Sequence, residues 1–310
     1  MAPLTTPQIF VALGSVQPDL VEPLLSENQR LVQHPTAEDL ATAEAAIVRA
    51  AFRVDRDMLD RMPALKVIAR TGVGTDLVDL AEAHRRGIPV VITPGSNTAS
   101  VAEGVFAHLL SLVKKLSPLT ALVREGRWEH RTDVVVGDLE GFTLGIIGYG
   151  RIGRRVARIA EAFDLKVLAY DPYAEIPAAI RCDSVEELLA GSDFTTLHVP
   201  LTSENQNLMD ASRLKAMKTG AVLINCSRGG LIDLDAAYEA LKSGQLSGLG
   251  LDVFDPEPPT HHPLFDHPNA VLTPHLMGFT RQGMAHTVRD AAQGAVDVLA
   301  GRKPAAVATP

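Results

Sequence analysis

The stretch LGIIGYGRIGRRVARIAEAF, residues 144–163, restricts the fold of this chain more than any other segment. Its glycines Gly148, Gly150 and Gly153 have the spacing G-x-G-x-x-G. The residues before them, 144–147, form a short apolar run that is typical of a buried strand, whereas the apolar residues after them recur at helical spacing. The stretch therefore predicts a strand, a tight glycine turn and a helix, in that order.

Units of this kind bind dinucleotides. The first glycine permits the turn, the second lets a pyrophosphate approach the backbone, and the third lets helix and strand pack closely. The phosphates then meet the amides at the positive end of the helix. A second apolar strand, 165–170, ends in Asp171, whose carboxylate can bind the adenosine ribose hydroxyls and would repel a 2′-phosphate. We therefore expect NAD rather than NADP as cofactor; the alternative is a glycine turn that binds no ligand.

Length, charge and cysteine content restrict the class of protein. The 310 residues suffice for two domains of about 150 residues each. The formal net charge of −8 argues against a binder of nucleic acid or membrane surfaces, so an anionic ligand needs local cations and amides. Two cysteines are too few for a disulfide framework, and no segment has the pattern of a signal peptide or a membrane span. We expect a cytoplasmic α/β protein.

Short apolar runs alternate with helical patterns along the N-terminal third of the chain. The runs predict buried parallel strands at 9–13, 46–49, 66–69 and 89–92, with a helix at 78–86. A long helix is expected from Ser100, a good N-cap with Glu103 three residues later, to about Arg124. The linking segment 125–140 contains the only tryptophan, Trp128, either as an anchor for another subunit or as a local core residue.

A second run of strands follows the glycine turn. These strands are expected at 194–198, 221–225, 248–251 and 270–272. The last helix, 281–300, is expected to return to the first unit, and the tail 303–310 to fray. The predicted fold is α/β with two Rossmann-like doubly wound domains. A flavodoxin-like substrate domain comprises residues 1–99 and 282–310, and the NAD-binding domain, residues 100–281, is inserted into it.

Polar residues stand at several predicted strand ends, beyond which open α/β sheets bind their ligands. In the first unit, Arg70 is followed by a glycine-rich loop with Val73 and Gly74, whose amides can form an anion-binding nest. The strands of the second unit end near five candidate residues: His198, Arg228, Asp252, Glu257 and His275.

Five ordered segments, GIIGYGRIG with Asp171, LHVPLT, LINCSRGGLID, GLDVFDPEPP and LTPHLMGFT, resemble those of the D-isomer-specific 2-hydroxyacid dehydrogenases. The resemblance covers nearly the whole chain and implies a catalytic set of Arg228, Glu257 and His275. Arg228 would hold the carboxylate of a 2-oxo acid and polarise its ketone. His275 would exchange a proton with the ketone oxygen as hydride moves to or from the nicotinamide. Glu257 would fix the imidazole tautomer and favour the imidazolium.

The resemblance also implies the ligand contacts. Those to NAD involve Gly148, Gly150, Arg151, Ile152, Gly153, Asp171, His198, Pro200, Cys226, Ser227, Arg228, Asp252, His275 and Gly278. Those to the small anionic substrate involve Arg70, Val73, Gly74, Arg228 and His275. Among them, Asp252 is expected to face the nicotinamide carboxamide, His198 to be structural rather than catalytic, and Cys226 to be a packing residue.

The substrate is predicted from two segments, ARTGVGTDLVDL and TPGSNTASVAE, which resemble the phosphoglycerate dehydrogenase branch. They favour 3-phosphoglycerate and phosphohydroxypyruvate, with Arg70 either contacting the phosphate or forming a buried pair with an acid. Met277 stands where many relatives have a small residue and is expected to narrow or reshape the pocket near His275. The sequence stops at Pro310 without the regulatory extension of longer members of that branch, so inhibition by serine through such a module is not expected.

Other functions stay open at this point. A glyoxylate or hydroxypyruvate reductase and a formate- or phosphonate-type dehydrogenase keep the same fold, and an NAD-sensing interaction protein keeps similar catalytic residues. His261, His262 and His267 lie in a proline-rich loop without a metal-binding spacing, so no metal site is expected. Family precedent implies a homodimer formed through the cofactor domain.

Overall fold

The computed structural model describes residues 7–49 and 51–309 of the chain. Its strands are β1 (Gln8–Leu13), β2 (Gln29–Val32), β3 (Ala43–Val48), β4 (Val67–Arg70), β5 (Val90–Val91), β6 (Thr143–Ile147), β7 (Lys166–Tyr170), β8 (Phe194–Leu197), β9 (Ala221–Asn225), β10 (Leu246–Leu251) and β11 (Ala270–Leu272). Its α-helices are α1 (Pro18–Val21), α2 (Ala37–Thr42), α3 (Arg56–Asp60), α4 (Leu80–Arg85), α5 (Thr98–Val113), α6 (Leu116–Arg124), α7 (Arg151–Ala162), α8 (Val185–Gly191), α9 (Ala211–Ala216), α10 (Leu234–Ser243) and α11 (Arg281–Leu299).

The chain divides into two compact units. The first unit contains the described residues up to Asn97 together with those from Thr280 onward, and the second unit is Thr98–Phe279. The sequence-based division placed these boundaries after residues 99 and 281. Each unit has its own parallel sheet with helices on both faces, so the α/β fold class expected from the alternating pattern is confirmed.

The sheet of the first unit is parallel throughout and has the order β2-β1-β3-β4-β5, which is the flavodoxin-like order. Helix α11 packs on one face, where Ala291 and Ala295 lie in one core with Phe10 and Ile47. The small side chains of α11 let the helix lie close to the strands. This is the return to the first unit that the sequence predicted for the last helix.

Two edge features of this sheet were not predicted correctly. The strand β2 was missed because its residues QRLV are only half-buried and lack an apolar run. The tail was expected to fray, but Ile92 N donates to Ala306 O at 3.2 Å and Ala308 N donates to Val90 O at 2.8 Å. The two-residue strand β5 lies at the edge of the sheet, and the tail satisfies backbone groups that the edge would leave unpaired.

The sheet of the second unit is also parallel and has the order β7-β6-β8-β9-β10-β11. A bridge from Arg181 to Ala169 extends it by one position beyond β7. With that position counted as the third strand, the order is 3-2-1-4-5-6-7, the arrangement of dinucleotide-binding domains. Strand order reverses between β6 and β8, so the crevice for a ligand lies at the carboxyl ends of these two strands.

The long helix predicted for residues 100–124 is two helices in the structure. Lys115 adopts a left-handed conformation with φ +52°, which ends the first helix and begins the second. Ser100 is not the N-cap, because α5 starts at Thr98 and Ser100 lies buried inside it. Within the described residues no single helix is long and apolar enough to cross a membrane; only the bent pair α5–α6, with 57° between its helices, reaches that length and apolarity.

Trp128 is not a core residue. It begins a 3₁₀ helix, Trp128–Asp133, and is 63% exposed. The guanidinium of Arg131 lies 5.4 Å from the centroid of its ring. Of the two interpretations from sequence, the local core residue is therefore wrong.

Candidate active site

The glycine turn between β6 and α7 has a separate physical reason for each glycine. Gly148 has φ +98°, and a Cβ there would lie 2.6 Å from the backbone of His198. A Cβ on Gly153 would lie 2.1 Å from the carbonyl oxygen of Gly148, so this glycine lets α7 pack against the turn. At Gly150 the described chain has no atom within 4 Å of an added Cβ. Among the described residues, the space beside the backbone of Gly150 is therefore open.

The open space at Gly150 fits a dinucleotide pyrophosphate. Gly150 is the N-cap of α7 and, among the described residues, no side chain caps the amides of the first turn. Those amides and the positive helix end are the groups that bind phosphate oxygens. The side chains of Arg151 and Ile152, exposed and half-buried respectively, begin the helix at this point.

Asp171 lies at the end of β7 and holds the glycine turn. Its carboxylate accepts hydrogen bonds from the amides of Tyr149 at 2.8 Å, Tyr173 at 2.8 Å and Ala174 at 3.0 Å. Because a carboxylate has about four acceptor positions, three bonds leave room for a ribose hydroxyl. The bond to Tyr149, inside the turn, is a structural role that the sequence did not indicate.

Glu257 and His275 form a direct pair. Glu257 Oε2 lies 2.8 Å from His275 Nδ1, and Oε1 accepts a hydrogen bond from Phe254 N at 3.0 Å. Burial raises the pKa of Glu257, but the bonds from His275 and Phe254 and the charge of Arg228 outweigh it and lower the pKa below its ordinary value. The carboxylate is therefore ionised at neutral pH and acts as the acceptor for Nδ1–H of His275.

Arg228 reaches the same edge of the sheet from the neighbouring strand. Its Nη1 donates to Ser227 O at 2.7 Å, and its own carbonyl accepts from Asn225 Nδ2 at 2.8 Å. The next residue, Gly229, lies so close to the loop after β10 that a Cβ would meet Phe254 C at 2.0 Å. This backbone contact places the turn of Arg228 against the loop that carries Glu257. The ends of β9, β10 and β11 thus bring the three predicted catalytic residues together.

Asp252, at the end of β10, holds the loop of His275. The carboxylate is 2% exposed and accepts hydrogen bonds from Thr273 Oγ1 at 2.6 Å, Leu276 N at 2.9 Å and Met277 N at 3.1 Å. His275 itself has a left-handed backbone, with φ +54°. Such a conformation costs free energy and persists where the surroundings enforce it. The predicted contact of Asp252 with the nicotinamide carboxamide stays a prediction beside this positioning role.

The remaining predicted contacts of the second unit lie beside the strand ends. Burial lowers the pKa of His198 to about 3, and its Nε2 lies 3.1 Å from Thr196 Oγ1, so the ring is neutral at pH 7. Burial, aided by the charge of Asp252, raises the pKa of the Cys226 thiol, which is unfavourable for a nucleophile. Three further residues complete the set, with Ser227 Oγ donating to Val199 O at 2.7 Å, Pro200 O accepting from Asn205 Nδ2 at 2.7 Å, and Gly278 following Met277.

The side chain of Met277 packs against helix α5. An added Cβ on Gly104 of α5 would lie 2.6–2.8 Å from Met277 Cβ, Cγ and Sδ, so the Met277 side chain fills the space that Gly104 leaves. The large residue is thus accommodated by a small one on the facing helix. The expectation that Met277 narrows or reshapes the pocket near His275 stays a prediction, and Gly104 is a residue that sequence reasoning missed.

Arg70 fixes the loop of the first unit. The residue is 3% exposed, and its guanidinium donates to Gly74 O from Nε at 3.1 Å and from Nη2 at 2.9 Å, and to Arg49 O from Nη1 at 2.7 Å. These three hydrogen bonds all go to backbone carbonyl oxygens. The loop that Arg70 holds contains Gly72, with φ +148°, and the exposed Val73. The structure therefore keeps the predicted nest residues in one fixed turn.

The three histidines of the proline-rich loop have separate partners. His261 Nε2 lies 3.1 Å from Asp266 and His262 Nε2 lies 3.1 Å from Asp235. His267 Nδ1 accepts from Asn269 N at 3.2 Å. In the part of the chain that the structure describes, no group of three or more His, Cys, Asp or Glu residues could hold a metal ion.

The fold agrees with that of known proteins that this chain resembles. The profile of the D-isomer specific 2-hydroxyacid dehydrogenase NAD binding domain matches residues 106–277. Glyoxylate reductase from Thermococcus litoralis is 40% identical over 264 residues, 81% of this chain and 80% of that protein. The structure of D-lactate dehydrogenase from Aquifex aeolicus, complexed with NAD and lactic acid, has a TM-score of 0.82 and 30% identity over 95% of this chain and 96% of that one. The chain belongs to the D-isomer-specific 2-hydroxyacid dehydrogenase family.

D-3-phosphoglycerate dehydrogenases are also similar. The protein from Bacillus subtilis is 38% identical over 289 residues, which are 91% of this chain and 54% of that protein. The chain spans about half the length of the phosphoglycerate dehydrogenases from Bacillus subtilis, Methanocaldococcus jannaschii, Archaeoglobus fulgidus and Rattus norvegicus. The matched profile identifies residues 106–277 as an NAD-binding domain, and the similar proteins are named dehydrogenases and reductases.

Proposed function

We propose that this protein is an NAD-dependent 2-hydroxyacid dehydrogenase that transfers hydride reversibly between NAD(H) and a small 2-hydroxy or 2-oxo acid. The observation that carries the proposal is the His275–Glu257 pair at 2.8 Å beside Arg228, on the same sheet edge as the glycine turn. This reaction needs three groups. They are a proton donor (His275), a carboxylate that orients it (Glu257) and a guanidinium that binds the substrate carboxylate (Arg228).

The roles follow from the geometry. NAD supplies the hydride donor or acceptor when it is bound. Glu257 occupies Nδ1 of His275, so Nε2 is the atom that gives a proton to the ketone oxygen in reduction and takes it back in oxidation. Arg228, always charged, holds the substrate carboxylate and polarises the ketone. The ionised Glu257 stabilises the charged imidazole that gives up the proton.

The cofactor contacts are proposed on the same sheet edge. The amides of Arg151 and Ile152 bind the pyrophosphate over Gly150, and the remaining acceptor position of Asp171 binds the ribose. The negative charge of Asp171 supports NAD over NADP, because a 2′-phosphate would lie against it. Asp252, which also holds the loop of His275, contacts the carboxamide of the nicotinamide.

For the substrate we propose phosphohydroxypyruvate, with 3-phosphoglycerate in the other direction. Two arginines at neighbouring strand ends of the first unit support a substrate with more than one negative charge. Arg70 ends β4, and Arg49 follows β3 in half-buried surroundings that lower its pKa. A Cβ on Gly14 would lie 2.8 Å from Arg49 Cβ, so this glycine makes room for the arginine. The amides of Val73 and Gly74, in the loop that Arg70 fixes, bind the carboxylate.

Glyoxylate or hydroxypyruvate is the second candidate substrate. The similarity to the Thermococcus litoralis glyoxylate reductase supports it, because the matched segment covers 80% of that protein but only about half of each phosphoglycerate dehydrogenase. Both candidates use the same catalytic residues. They differ in whether a phosphate has to be bound.

A panel of 2-oxo acids tests the proposal. NADH oxidation is followed at equal protein concentration with phosphohydroxypyruvate, hydroxypyruvate, glyoxylate, pyruvate and a branched 2-oxo acid, and NADPH is compared with NADH. We expect the highest kcat/KM with phosphohydroxypyruvate and a clear preference for NADH. If glyoxylate or hydroxypyruvate has the highest kcat/KM instead, the second candidate is the substrate. Binding of NADH without turnover of any acid contradicts the dehydrogenase and favours the NAD-sensing protein.

Two variants connect the assay to the residues. Arg228→Ala is expected to lower kcat/KM for every acid by at least about a hundredfold, because it removes the carboxylate contact. Arg49→Gln is expected to lower kcat/KM for phosphohydroxypyruvate while sparing glyoxylate. Arg49→Lys is the control that keeps the charge. Equal losses for both acids in Arg49→Gln would contradict a phosphate contact.

A homodimer and a cytoplasmic location complete the proposal. The segment after α6 presents large apolar side chains at its surface, of which Trp128 is 63% and Val135 84% exposed. A second copy of the chain could cover them. The two cysteines are free thiols, which supports a reducing compartment. Light scattering of the wild type and of Val135→Asp tests the dimer.

A further inference from the structure

A chain of hydrogen bonds links α5 to the loop that carries His275. His108 Nδ1 lies 3.0 Å from the carbonyl oxygen of Gly104, one turn earlier in the helix. His108 Nε2 lies 3.1 Å from Thr273 Oγ1, and this hydroxyl donates to Asp252 Oδ1 at 2.6 Å. Both His108 and Asp252 are 2% exposed. The chain therefore has to satisfy its hydrogen-bonding groups from within the protein.

The number of protons in this chain is determined by its geometry. Each of the three hydrogen bonds contains one proton, so the chain needs three. A neutral imidazole has one ring proton, the threonine hydroxyl has one, and an ionised carboxylate has none, which makes two. The carbonyl of Gly104 is an acceptor only. A third proton is thus required, either on Nε2 of His108 or on the carboxyl group of Asp252.

The contacts of Asp252 assign the third proton to His108. The carboxylate accepts hydrogen bonds from the amides of Leu276 and Met277, at 2.9 and 3.1 Å, and such bonds favour its ionised form. An imidazolium at His108 then balances the carboxylate through the hydroxyl of Thr273, and the buried pair has no net charge. Without the proton, two lone pairs would face each other away from water, which is unfavourable.

The surroundings of the ring are compatible with this assignment. Cys226 Sγ lies 4.0 Å from His108 Nδ1, and burial raises the pKa of this thiol, so Cys226 adds no charge. A Cβ on Gly250 would lie 2.9 Å from His108 Cβ and 3.2 Å from its ring, so this glycine of β10 makes room for the imidazole. Among the described residues, the titratable side chains that the ring reaches by hydrogen bonds are Cys226 and, through Thr273, Asp252.

We propose that His108 is a positioning residue whose second ring proton completes the chain through Thr273 to Asp252 and thereby holds the loop of His275. Asp252 binds the two amides directly after His275, whose backbone has the unfavourable left-handed conformation. The role rests on the proposed function, because it is His275 that exchanges the proton with the substrate. His108 touches neither substrate nor the reacting atoms and acts through the loop.

Nuclear magnetic resonance of the histidine rings tests the proton count without turnover. The protein is labelled with ring-¹⁵N histidine and measured at pH 7, and the His108 signals are assigned by their absence from His108→Gln. We expect a proton on both ring nitrogens of His108. His198 is the internal control, because its 3.1 Å bond to Thr196 is equally long but has no carboxylate beyond it. Burial lowers the pKa of His198 to about 3, so one of its nitrogens is expected to be bare. A bare nitrogen on His108 overturns the proposal.

Kinetics of two variants test the positioning role. His108→Leu removes the donor to Thr273, whereas His108→Gln keeps an N–H donor without the charge. In His108→Leu we expect kcat to fall about tenfold to a hundredfold, the range that a displaced catalytic group costs, while the Kd for NADH stays within about threefold. In His108→Gln we expect most of the lost kcat to return.

A merely structural role predicts a different result. Both variants would then lower the melting temperature and leave kcat per folded molecule unchanged, and that outcome overturns the proposal. If His108→Leu does not fold, Thr273→Val and Thr273→Ser give the same contrast, because only the serine keeps the bridging hydroxyl. The ring spectrum also separates this proposal from the proposed function, because it reports the protons on His108 even in a protein without dehydrogenase activity.

Discussion

Replacing Gly150 by alanine separates cofactor binding from stability. No atom of the described chain lies within 4 Å of an added Cβ, and the backbone angles, φ −76° and ψ −155°, suit any residue. Alanine is a poorer N-cap than glycine, but it also restricts the unfolded chain, and these effects of roughly 0.5–1 kcal/mol oppose each other. We expect an unchanged melting temperature and, because the methyl group lies where the pyrophosphate approaches, a Kd for NADH raised at least about tenfold, or 1.4 kcal/mol.

At two other glycines, Gly153 and Gly220, substitution by alanine is expected to lower stability. A Cβ on Gly153 would lie 2.1 Å from Gly148 O, and ordinary contact begins near 3.4 Å, so α7 has to move away by 1.3 Å. Overpacking of this kind costs about 1–3 kcal/mol, which corresponds to a melting temperature lower by roughly 2–12 °C for a unit of this size. Gly220 precedes β9 at the opposite edge of the sheet and has φ +82° with open space around it. Gly220→Ala is therefore expected to lower stability by about 1 kcal/mol without changing the Kd for NADH.

Fluorescence titration with NADH and thermal unfolding, measured on all three variants, complete the test. A folded Gly150→Ala protein that binds NADH as tightly as the wild type would refute the argument that this glycine is reserved for the pyrophosphate. A loss of NADH affinity in Gly220→Ala would show that affinity simply follows stability. Either result removes the structural basis for the cofactor site at α7.

Three further predictions concern protonation and packing. Burial lowers the pKa of His198 in the folded state from 6.5 to about 3, so the free energy of unfolding decreases as pH falls below 6.5. Between pH 7.5 and 5 this decrease is about 2 kcal/mol. Urea unfolding at these two pH values is expected to show the decrease in the wild type but not in His198→Gln. Glu257→Gln keeps an acceptor for His275 but removes the charge, so kcat for reduction is expected to fall about tenfold or more. A kcat equal to that of the wild type contradicts the catalytic role of the pair. Gly104→Ala alone is expected to lower the free energy of unfolding by about 1–3 kcal/mol, but to lower it little when Met277 is already alanine. Additive losses in this double-mutant cycle would contradict the contact between residues 104 and 277.

The accuracy of the sequence-based predictions follows the range of the interactions involved. Strands with continuous apolar runs, such as β9 and β11, have the bounds that were expected, because the run itself ends where burial ends. The strand β2 and the paired tail were missed, since both lie at an edge and owe their conformation to a neighbouring strand. The break at Lys115 was missed for a similar reason, as the helical pattern continues through a residue that leaves the helix.

The candidate site shows the same division. The identities of Arg228, Glu257 and His275 were inferred from motifs, each of which is a short local segment. Their mutual approach, with the 2.8 Å pair of Glu257 and His275, depends on neighbouring parallel strands ending at one edge. Histidine inside the apolar helix α5 was the one sequence signal that could have indicated His108 as a further candidate.

The sequence by itself determined the strand–turn–helix unit, the types of the residues at the strand ends and the family to which they point. These properties reside in spacing along a few residues, and spacing is visible without a fold. Only the tertiary structure decided that Gly104 accommodates Met277, that Asp252 binds the backbone after His275, and that His108 lies within reach of Thr273. Each of these contacts joins segments far apart in the chain, and their meeting depends on how the helices and strands pack.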